Sequence, residues 1–504
     1  MNTFLNGMKT AANYTYTENG ALTHKSTMSG LLDLFGLGAA YRSRSDEDCI
    51  FLFQKAFQED PIHALKCLFY LRDIREGQGE RRFFRVVTRW LADNETEVMR
   101  RNLQYIPEFG RYDDWYVFVG TKLENDMFEL MRQQLMLDVQ CKTPSLLAKW
   151  LKSENTSSAE SRRLGNLTRK AFNLTHRDYR KTLSVLRERI KVLERLMSEN
   201  RWDEIEFDKI PSKAGFVYRN AFARRDIIKA KYEKFIKDET TTVNAGALYP
   251  YEVVAQAFNY SQRHIVSRNW ARYTFEEPKL DDIERLTINK YWDNLTDYLN
   301  GCDLNALAIV DTSMSMWGHT GSAPMNVAIS LGLYCAERAK GPFANHYISF
   351  SSRPQLIETS GIDFVDKVQR IYSTNLCENT NIEATFDMLL ETAIQNNCAQ
   401  SDLPKKIIII SDMEFDCQTS HYGRETGTLM ENIALKWNRH GYKMPELVFW
   451  NVNARQDNIP MKVQNGVTFV SGFSPVLFEQ IMKNKSAIDL ILDKLDSERY
   501  ACIK

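Results

Sequence analysis

The sequence predicts a multidomain protein of the α plus α/β class, and two observations carry that prediction. Before about residue 300, apolar residues recur at three- and four-residue steps, which is typical of helices. After it, apolar runs rich in β-branched residues alternate with helical segments, which indicates a doubly wound α/β domain with a mainly parallel sheet. At 504 residues the chain is too long for one ordinary core. We expect an amino-terminal extension (1–44), a helical module (45–300) and an α/β domain (301–504).

The amino-terminal half is predicted to be helical throughout, with few strand signals. Pro61 stands where the first turn of one helix would begin, since proline is tolerated there. Links such as REGQGE and YIPEFGRYDD are short and contain Gly or Pro, so we expect a helical array of stacked pairs without a strict repeat period. The clearest helical segments are DEDCIFLFQKAFQED, PIHALKCLFYLRDIRE, GERRFFRVVTRWLAD and DMFELMRQQLMLDVQ.

The carboxyl-terminal half is predicted to alternate strand and helix. KKIIIISDMEF indicates a strand covered on both faces, because its isoleucines favour a pleated, buried environment. The other predicted strands are LNALAIVDTS, NHYISFSS, ELVFWNVNA and GVTFVSGF, and the helices include APMNVAISLGLYCAERA, FVDKVQRIY, NIEATFDMLLETAIQNN, TLMENIALKWNRHG (ending at Gly441) and SPVLFEQIMKN. In such sheets, ligands bind beyond the carboxyl ends of the strands, where the strand order reverses.

Composition narrows the class of protein. Formal net charge is zero, and hydrophobic and charged residues make up 43% and 26% of the chain, as in globular proteins. No window resembles a membrane span, and the first twenty residues lack the apolar core of a signal peptide. The nine cysteines include no C-x-x-C pair. We therefore expect a cytoplasmic protein with reduced thiols and neither membrane attachment, zinc cluster nor disulfide framework.

Five oxygen-bearing side chains fall at the ends of predicted strands. Asp311, Ser313 and Ser315 follow the first strand of the α/β half, Thr380 precedes a helix, and Asp412 ends IIIISD. Hard cations prefer oxygen, and a site with only two carboxylates suits Mg²⁺ or another divalent ion such as Mn²⁺ or Ca²⁺. Such an ion keeps enough positive charge to accept an acidic group from a partner. Two plainer interpretations stay open: Asp311 caps a helix beside turn serines, or the fold is right and no metal acts there.

This pattern resembles the metal-ion-dependent adhesion site of von Willebrand factor A domains, which have a Rossmann-like, doubly wound fold. The family pattern is D-x-S-x-S, then a Thr and an Asp in two later loops, and here it reads Asp311, Ser313, Ser315, Thr380 and Asp412. The resemblance covers roughly residues 302–500. It implies a metal site that docks an acidic ligand.

The helical half resembles the Ro autoantigen (TROVE) module, and more closely its bacterial, phage, fungal and plant relatives without assigned function. The motifs are LRDIREGQGERRFF (71–84), IPEFGRYDDWYVF (106–118), SLLAKWL (145–151) and YPYEVV (249–254), followed by the A-type domain. The resemblance implies HEAT-like repeats in a ring or arc that binds small structured or misfolded RNA outside and single-stranded ends in its hole. Residues 153–245 diverge, so the RNA surface of Ro cannot be transferred residue by residue.

A basic region suggests a nucleic-acid surface independently of that resemblance. Residues 142–237 contain 24 Lys and Arg against 12 Asp and Glu, while the whole chain is neutral. Cations are mixed with aromatics there, as in surfaces that hold phosphates and stack bases. The alternative is an ordinary solvated face with Phe172, Phe216 and Phe222 in the core. The candidate nucleic-acid-binding residues are Arg169, Lys170, Arg177, Arg180, Lys181, Arg219, Arg224, Arg225 and Lys229.

The sequence favours a Ro-like RNA-binding scaffold over two other functions. The first alternative is a metal-dependent protein–protein adaptor that binds a partner's Asp or Glu and has no RNA role. The second is a metal-dependent nucleic-acid hydrolase, but two-metal hydrolysis needs more carboxylates than Asp311 and Asp412. No phosphate-binding glycine loop follows a strand, so we expect no enzymatic activity.

Overall fold

The structure is a computed structural model, and the chain divides into two compact units. The α/β unit comprises Met1–Ala64 and Ala245–Leu495, and the helical unit comprises Leu65–Asn244 and Asp496–Lys504. This division differs from the predicted ranges, because both chain ends fold with a unit that is distant in sequence. The residues described are 3–190, 193–257, 280–300, 305–316, 324–350, 353–374, 379–417, 427–481 and 486–504.

Helices dominate residues 3–257, as the apolar periodicity predicts. Helix α4 begins at Pro61, where the sequence places a first helical turn. In chain order the helices are α1 (Thr3–Ala12), α2 (Gly30–Leu37), α3 (Asp46–Glu59), α4 (Pro61–Arg72), α5 (Arg82–Asn94), α6 (Thr96–Asn102), α7 (Ile106–Phe109), α8 (Glu124–Gln140), α9 (Leu147–Trp150), α10 (Ala159–Ala171), α11 (His176–Arg189), α12 (Leu193–Ser198), α13 (Ser212–Arg224), α14 (Asp226–Lys237) and α15 (Pro250–Ala257).

The core of the helical unit contains a cluster of aromatic rings. The Phe69 ring meets the Phe84 and Phe109 rings edge-on, with centroids 5.4 and 5.3 Å apart. Tyr500, from the carboxyl terminus, stacks on Phe109 at 5.5 Å. Such pairs stabilise a core beyond the area that they bury. The last nine residues therefore belong to this unit, although the sequence assigns them to the α/β domain.

The α/β unit is built on a six-stranded sheet with helices between its strands. Its strand order is β5-β4-β3-β6-β7-β8, parallel except for the edge strand β5, which the sequence did not predict. The strands are β3 (Ala306–Asp311), β4 (His346–Phe350), β5 (Gln355–Glu358), β6 (Lys406–Ser411), β7 (Glu446–Asn451) and β8 (Val467–Ser471), after a hairpin of β1 (Tyr14–Tyr16) and β2 (Leu22–His24). The helices are α16 (Asp282–Asp293), α17 (Pro324–Arg338), α18 (Phe364–Thr374), α19 (Ile382–Gln395), α20 (Leu429–Arg439), α21 (Leu477–Ile481) and α22 (Ala487–Leu495).

The strand order reverses between β3 and β6. After β3 the chain moves to β4 on one side, and after β6 it moves to β7 on the other side. Every residue of both central strands is buried, as the apolar run around Ile407 predicts. The carboxyl ends of β3 and β6 thus form the crevice where open α/β sheets bind ligands.

The amino-terminal segment is an integral part of the α/β unit rather than a separate extension. The hydroxyl of Thr17 donates to the carbonyl of Phe415 at 2.7 Å, and His24 exchanges backbone hydrogen bonds with Ile459. Helix α2 packs on β8, where Gly36 lies against Phe469. Residues 17–37 therefore complete the core of a domain whose sheet begins nearly 300 residues later.

Among the helices of the described ranges, none combines the length and the apolar character needed to cross a bilayer.

Candidate functional site

Two acidic side chains lie at the crevice between β3 and β6. Asp311 is the last residue of β3, and Asp412 follows the last residue of β6. The two strands are hydrogen-bonded neighbours, with Val310 opposite Ile410. Asp311 is 0% and Asp412 1% exposed. The fold thus brings together two carboxylates that are separated by a hundred residues in sequence.

Asp311 is held by hydrogen bonds from both strands. Its Oδ1 accepts the backbone N–H of Ser313 at 2.9 Å, and its Oδ2 accepts the hydroxyl of Ser411 at 2.5 Å. The hydroxyls of Ser313 and Ser315 lie 2.9 Å apart, because residues 314–316 form a turn of 3-10 helix. The spacing of acid, serine and serine therefore gathers three oxygen groups at one strand end.

Asp412 joins this group from the second strand. The side chain of Ser315 lies close enough to lower the pKa of the Asp412 carboxyl. The backbone N–H of Glu414 donates to its Oδ1 at 3.2 Å. Arg455 donates to its Oδ2 at 3.1 Å and also forms an ion pair with Glu18 at 2.5 Å. Glu18 and Arg455 were not predicted from the sequence, because neither stands near the metal motif.

Thr380 lies in the loop that packs beside the chain after β6. It is buried, and its carbonyl accepts the backbone N–H groups of Asp416 at 3.0 Å and Ile382 at 3.1 Å. This bond places the Thr380 loop next to the segment that carries Asp412. All five predicted metal ligands therefore lie in three neighbouring loops, which follow β3, precede α19 and follow β6.

Burial makes the negative charges at this edge costly. It raises the pKa of Asp311 to about 7, and the neighbouring Asp412 carboxylate adds to the rise. Burial also raises the pKa of Asp412, although the Arg455 guanidinium opposes that shift. An additional positive charge would stabilise both ionised carboxylates. The two carboxylates and the hydroxyls of Ser313 and Ser315 are oxygen donors, the ligand type that hard divalent cations prefer.

Glu414 is a third buried acid, but its side chain is engaged elsewhere. Its Oε1 accepts from the amide of Asn458 at 2.8 Å, and its Oε2 accepts the backbone N–H of Glu18 at 2.7 Å. Burial raises its pKa to about 7. In the part of the chain that the structure describes, no three His, Cys, Asp or Glu side chains form a metal-holding group. A cation here would therefore depend on the hydroxyls.

Five of the predicted nucleic-acid-binding residues lie on α10 and α11, and four of them are exposed. Arg177, Arg180 and Lys181 occupy one exposed face of α11, since residues three and four apart lie on the same side of a helix. Lys170 is exposed at the end of α10. Lys170, Arg177 and Lys181 form no ion pair with any described residue, so their charges are uncompensated.

Two predicted residues point into the protein. Arg169 pairs with Glu154 at 2.8 Å and donates to the carbonyl of Leu174. Arg219 is buried and donates to the carbonyl of Phe216 at 2.8 Å. Their guanidinium groups satisfy internal acceptors, so the interpretation of an ordinary structural role holds for both. The same applies to Phe172, Phe216 and Phe222, which are buried.

The three remaining predicted residues lie where α13 meets α14. Arg224 is exposed and has no ion-pair partner among the described residues. Arg225 covers the ring of Trp202, with 5.3 Å between the guanidinium carbon and the ring centroid. Lys229 lies 3.9 Å from Glu233. Arg224 and Arg225 thus keep positive charges that no described acid pairs with.

Comparisons with known proteins give a family without an assigned role. A family described as "Domain of unknown function (DUF2828)" matches residues 17–111 and 136–302, and one described as "Domain of unknown function (DUF7788)" matches residues 305–499. Since the first match covers more than half of the chain, the protein belongs to the DUF2828 family. That match begins at residue 17, in agreement with the integration of the amino-terminal segment.

One curated relative and one solved structure resemble nearly the whole chain. "Uncharacterized protein L728" of Acanthamoeba polyphaga mimivirus is 29% identical over 522 residues, which span 94% of this chain and 85% of the relative. The crystal structure of the Ro (RSR) protein of Deinococcus radiodurans aligns with 94% of this chain and 100% of its own, at 14% identity and a TM-score of 0.48.

Proposed function

We propose that this protein is an RNA-binding scaffold whose two units have different roles. The helical unit holds the phosphates of small structured or single-stranded-ended RNA, with its helices arranged as a HEAT-like ring or arc. The α/β unit is a von Willebrand factor A-like domain that holds a divalent cation and docks an acidic group of a partner. The observation that carries the RNA role is the uncompensated basic face of α11.

The charges of the two units support this division. The helical unit has 38 Lys and Arg against 29 Asp and Glu, a net charge of +9. The α/β unit has 27 against 36, a net charge of −9. A polyanion is attracted to the first and repelled by the second. RNA contact therefore belongs on the helical unit.

The face of α11 that carries Arg177, Arg180 and Lys181 is suited to a phosphate backbone. Tyr179 and Leu183 anchor the opposite face in the core, so the three cations project from a fixed helix. Arg180 also lines a cavity of about 700 Å³ beside α11 and α12. Phosphate contacts of this kind give affinity without sequence specificity.

The test is a charge reversal of the three α11 cations to glutamate, with binding of structured RNA measured by fluorescence anisotropy over a salt series. The matched control reverses Arg132, Arg163 and Arg201, three exposed arginines already paired with Glu129, Glu160 and Glu204. Both variants change net charge equally. We expect the α11 variant to lose affinity and about 2 units of salt slope, since each lost phosphate contact contributes roughly 0.7. Equal losses in both variants would remove α11 from the RNA surface.

The proposed metal site uses the side-chain oxygens of Asp311, Ser313, Ser315, Thr380 and Asp412. Mg²⁺, or Mn²⁺ or Ca²⁺ in its place, would supply a Lewis-acidic position for a partner's carboxylate. The hydrogen bonds within the group preorganise the oxygens. Isothermal titration of the whole protein with Mg²⁺ tests this assignment, with Asp311→Ala as the variant that should not bind.

A second candidate function is a metal-dependent adaptor without an RNA role, and the buried carboxylates Asp311 and Asp412 favour it. In that case Asp311→Ala abolishes recovery of the protein partner, and the native protein binds no RNA. The scaffold function instead predicts that the native protein binds RNA and that Asp311→Ala retains this binding. Measuring RNA affinity and partner recovery on the same preparation therefore separates the two functions.

We propose no catalytic role for this site. Hydrolysis of RNA by two metals would need further carboxylates, and Glu414 is already engaged by Asn458 and Glu18. Incubation of labelled RNA with the native protein and Mn²⁺ tests this point. Cleavage that disappears in Asp412→Asn would establish a hydrolase instead.

A further inference from the structure

A second basic cluster lies in the helical unit, outside the region that the sequence marks as basic. It consists of Arg72 and Arg81 from the motif at 71–84, Arg85 directly after that motif, and Arg111 from the motif at 106–118. We call these four residues the arginine cluster. The four arginines carry four positive charges, and the neighbouring Asp113 and Asp114 carry two negative charges. Two positive charges are therefore left without a counter-charge.

A buried aspartate holds the frame of the arginine cluster. Asp114 accepts two hydrogen bonds from Arg72, at 2.6 and 2.9 Å, and one from the Nε of Arg85 at 2.7 Å. A Cβ on Gly110 would lie 2.4 Å from the Asp114 carboxylate, so only glycine allows this approach. The conformation that follows α7 therefore depends on the Gly-Arg-Tyr-Asp-Asp sequence.

Arg111 is fixed in a second way. Its Nε and Nη2 donate to the two oxygens of Asp113, both at 2.8 Å. Its guanidinium carbon lies 4.0 Å from the centroid of the Trp150 ring, and Lys149 approaches the same ring at 5.8 Å. This packing limits the motion of Arg111 and so lowers the entropic cost of binding through it.

Arg81 is the member of the arginine cluster that has no ion-pair partner among the described residues. It is exposed and forms no ion pair with a described residue. Burial of its base and the neighbouring Arg111, Arg85 and Arg72 lower its pKa, and Asp113 offsets them only in part. The adjacent Glu80 is directed to the start of α5, where it accepts the backbone N–H groups of Arg82 and Phe83. An anion would relieve this repulsion.

Free donors remain on three of the arginines. Asp113 and Asp114 occupy the Nε and Nη2 groups of Arg85 and Arg111, which leaves Nη1 of each without a hydrogen bond to a described residue. Arg81 retains its whole planar fork. Guanidinium groups match the oxygens of a phosphate, and a terminal phosphate monoester carries about −2 charge near pH 7. That charge equals the surplus of the arginine cluster.

We propose that Arg81, Arg85 and Arg111 bind a terminal phosphate monoester of RNA. This inference rests on the proposed RNA-binding function and adds a preference for one kind of RNA end. An internal phosphodiester carries only one negative charge and offers two free oxygens instead of three. The arginine cluster thus distinguishes a phosphorylated end from the rest of the strand, while the α11 face binds the backbone without distinction.

The experiment measures binding of the full chain to one single-stranded RNA prepared with a 5′-phosphate, a 3′-phosphate or hydroxyl ends. We expect a phosphorylated end to bind about tenfold more tightly, the order expected for charge-assisted hydrogen bonds. Arg81→Gln should remove this preference and leave hydroxyl-ended RNA unaffected. Arg101→Gln is the matched control, since Arg101 is also exposed and unpaired among the described residues, and it should keep the preference.

The other outcomes separate this inference from the proposed function. If the native protein binds no RNA, the proposed function fails, and this site fails with it. If it binds all three RNAs equally, RNA binding stands and the terminal-phosphate site is overturned. Inorganic phosphate or hexaglutamate serves as competitor: one that displaces phosphorylated RNA at equal concentration would assign the arginine cluster to a free phosphate or an acidic protein segment instead.

Discussion

The two units of this protein bury charge in opposite ways. In the helical unit, buried Arg72 pairs with buried Asp114, and buried Asp73 pairs with Arg499 at 2.8 Å. In the α/β unit, buried Asp311 and Asp412 meet at the strand ends, with the Arg455 guanidinium beside Asp412. A buried charge needs a partner of opposite sign. Internal pairing therefore indicates a structural role in the first unit, whereas in the second unit one guanidinium faces two buried carboxylates.

The outward charges show the same contrast. The helical unit carries a net +9 and leaves arginines such as Arg81 and Arg177 without a described ion-pair partner. The α/β unit carries a net −9. The formal net charge of zero is therefore the sum of a basic helical unit and an acidic α/β unit, which suit ligands of opposite sign.

The largest expected effect comes from breaking the paired charge of the helical unit. Arg72→Met leaves Asp114 buried without its main partner, which should destabilise this unit by about 3–5 kcal/mol. Hydrogen exchange followed by mass spectrometry should show faster exchange in α4 and α5. The control Arg132→Met removes an exposed pair and should change little. Unchanged exchange in Arg72→Met would mean that the pair does not support the unit.

The second effect sharpens the contrast through Mg²⁺. Binding to the α/β unit should stabilise it by about 2.7 kcal/mol at a hundredfold excess over Kd, because a ligand stabilises the state that binds it. Hydrogen exchange should slow in β3 and β6, and not in the helical unit. Asp311→Ala should abolish the effect, whereas Glu391→Ala, which removes an exposed acid of α19, should not. Slower exchange confined to the helical unit would contradict the assigned site.

The third effect is an opposite response of the two units to pH in the presence of EDTA. Burial raises the pKa values of Asp311 and Glu414 to about 7, whereas their ordinary pKa values are near 4. Between these two values the acids are protonated in the folded protein and ionised in the unfolded chain. Unfolding therefore releases protons, and a rise in pH favours it. The α/β unit should therefore lose on the order of 2 kcal/mol between pH 5 and 7. The arginines hold the pKa of Asp114 below its ordinary value against the effect of burial, so the helical unit loses that contribution only below about pH 4.

The measurement for the third effect is hydrogen exchange at several pH values, corrected for the intrinsic exchange rate. Protection of β3 and β6 should fall from pH 5 to 7, while protection of α5 stays level. Stronger protection of β3 at pH 7 than at pH 5 would refute the prediction. Mg²⁺ should suppress the fall, since a bound cation favours the ionised carboxylates.

The smallest effect concerns the cysteines. Burial raises the pKa of the thiols of Cys67 and Cys335, one in each unit, and raises that of Cys335 to about 12. Cys141 is exposed. Because the thiolate is the reactive form, Cys141 should react with a thiol reagent at least about tenfold faster. Peptide mapping after brief labelling measures this ratio, and equal labelling of all three would show that the cores open readily.

Local patterns were sufficient for most of the fold and for half of the candidate site. Apolar periodicity predicted α4, α5 and β6, because each pattern reflects which face of one element is buried. The acid and two serines of 311–315 were predicted for the same reason, since neighbours in sequence are neighbours in space. Edge strand β5 was not predicted, because Gln355–Glu358 is exposed and carries little apolar pattern.

Local sequence patterns specify the two kinds of unit, the alternation of strand and helix, and the oxygen-rich ends of the central strands. Contacts between segments that are far apart in sequence became visible only in the folded chain. Folding of the whole chain placed Arg455 between Glu18 and Asp412, seated Tyr500 on Phe109, set Arg111 over Trp150, and turned Arg169 and Arg219 inward. The physical reason is that hydrophobic periodicity records the burial of each residue, whereas charge pairing depends on contacts between distant segments, which no local pattern records.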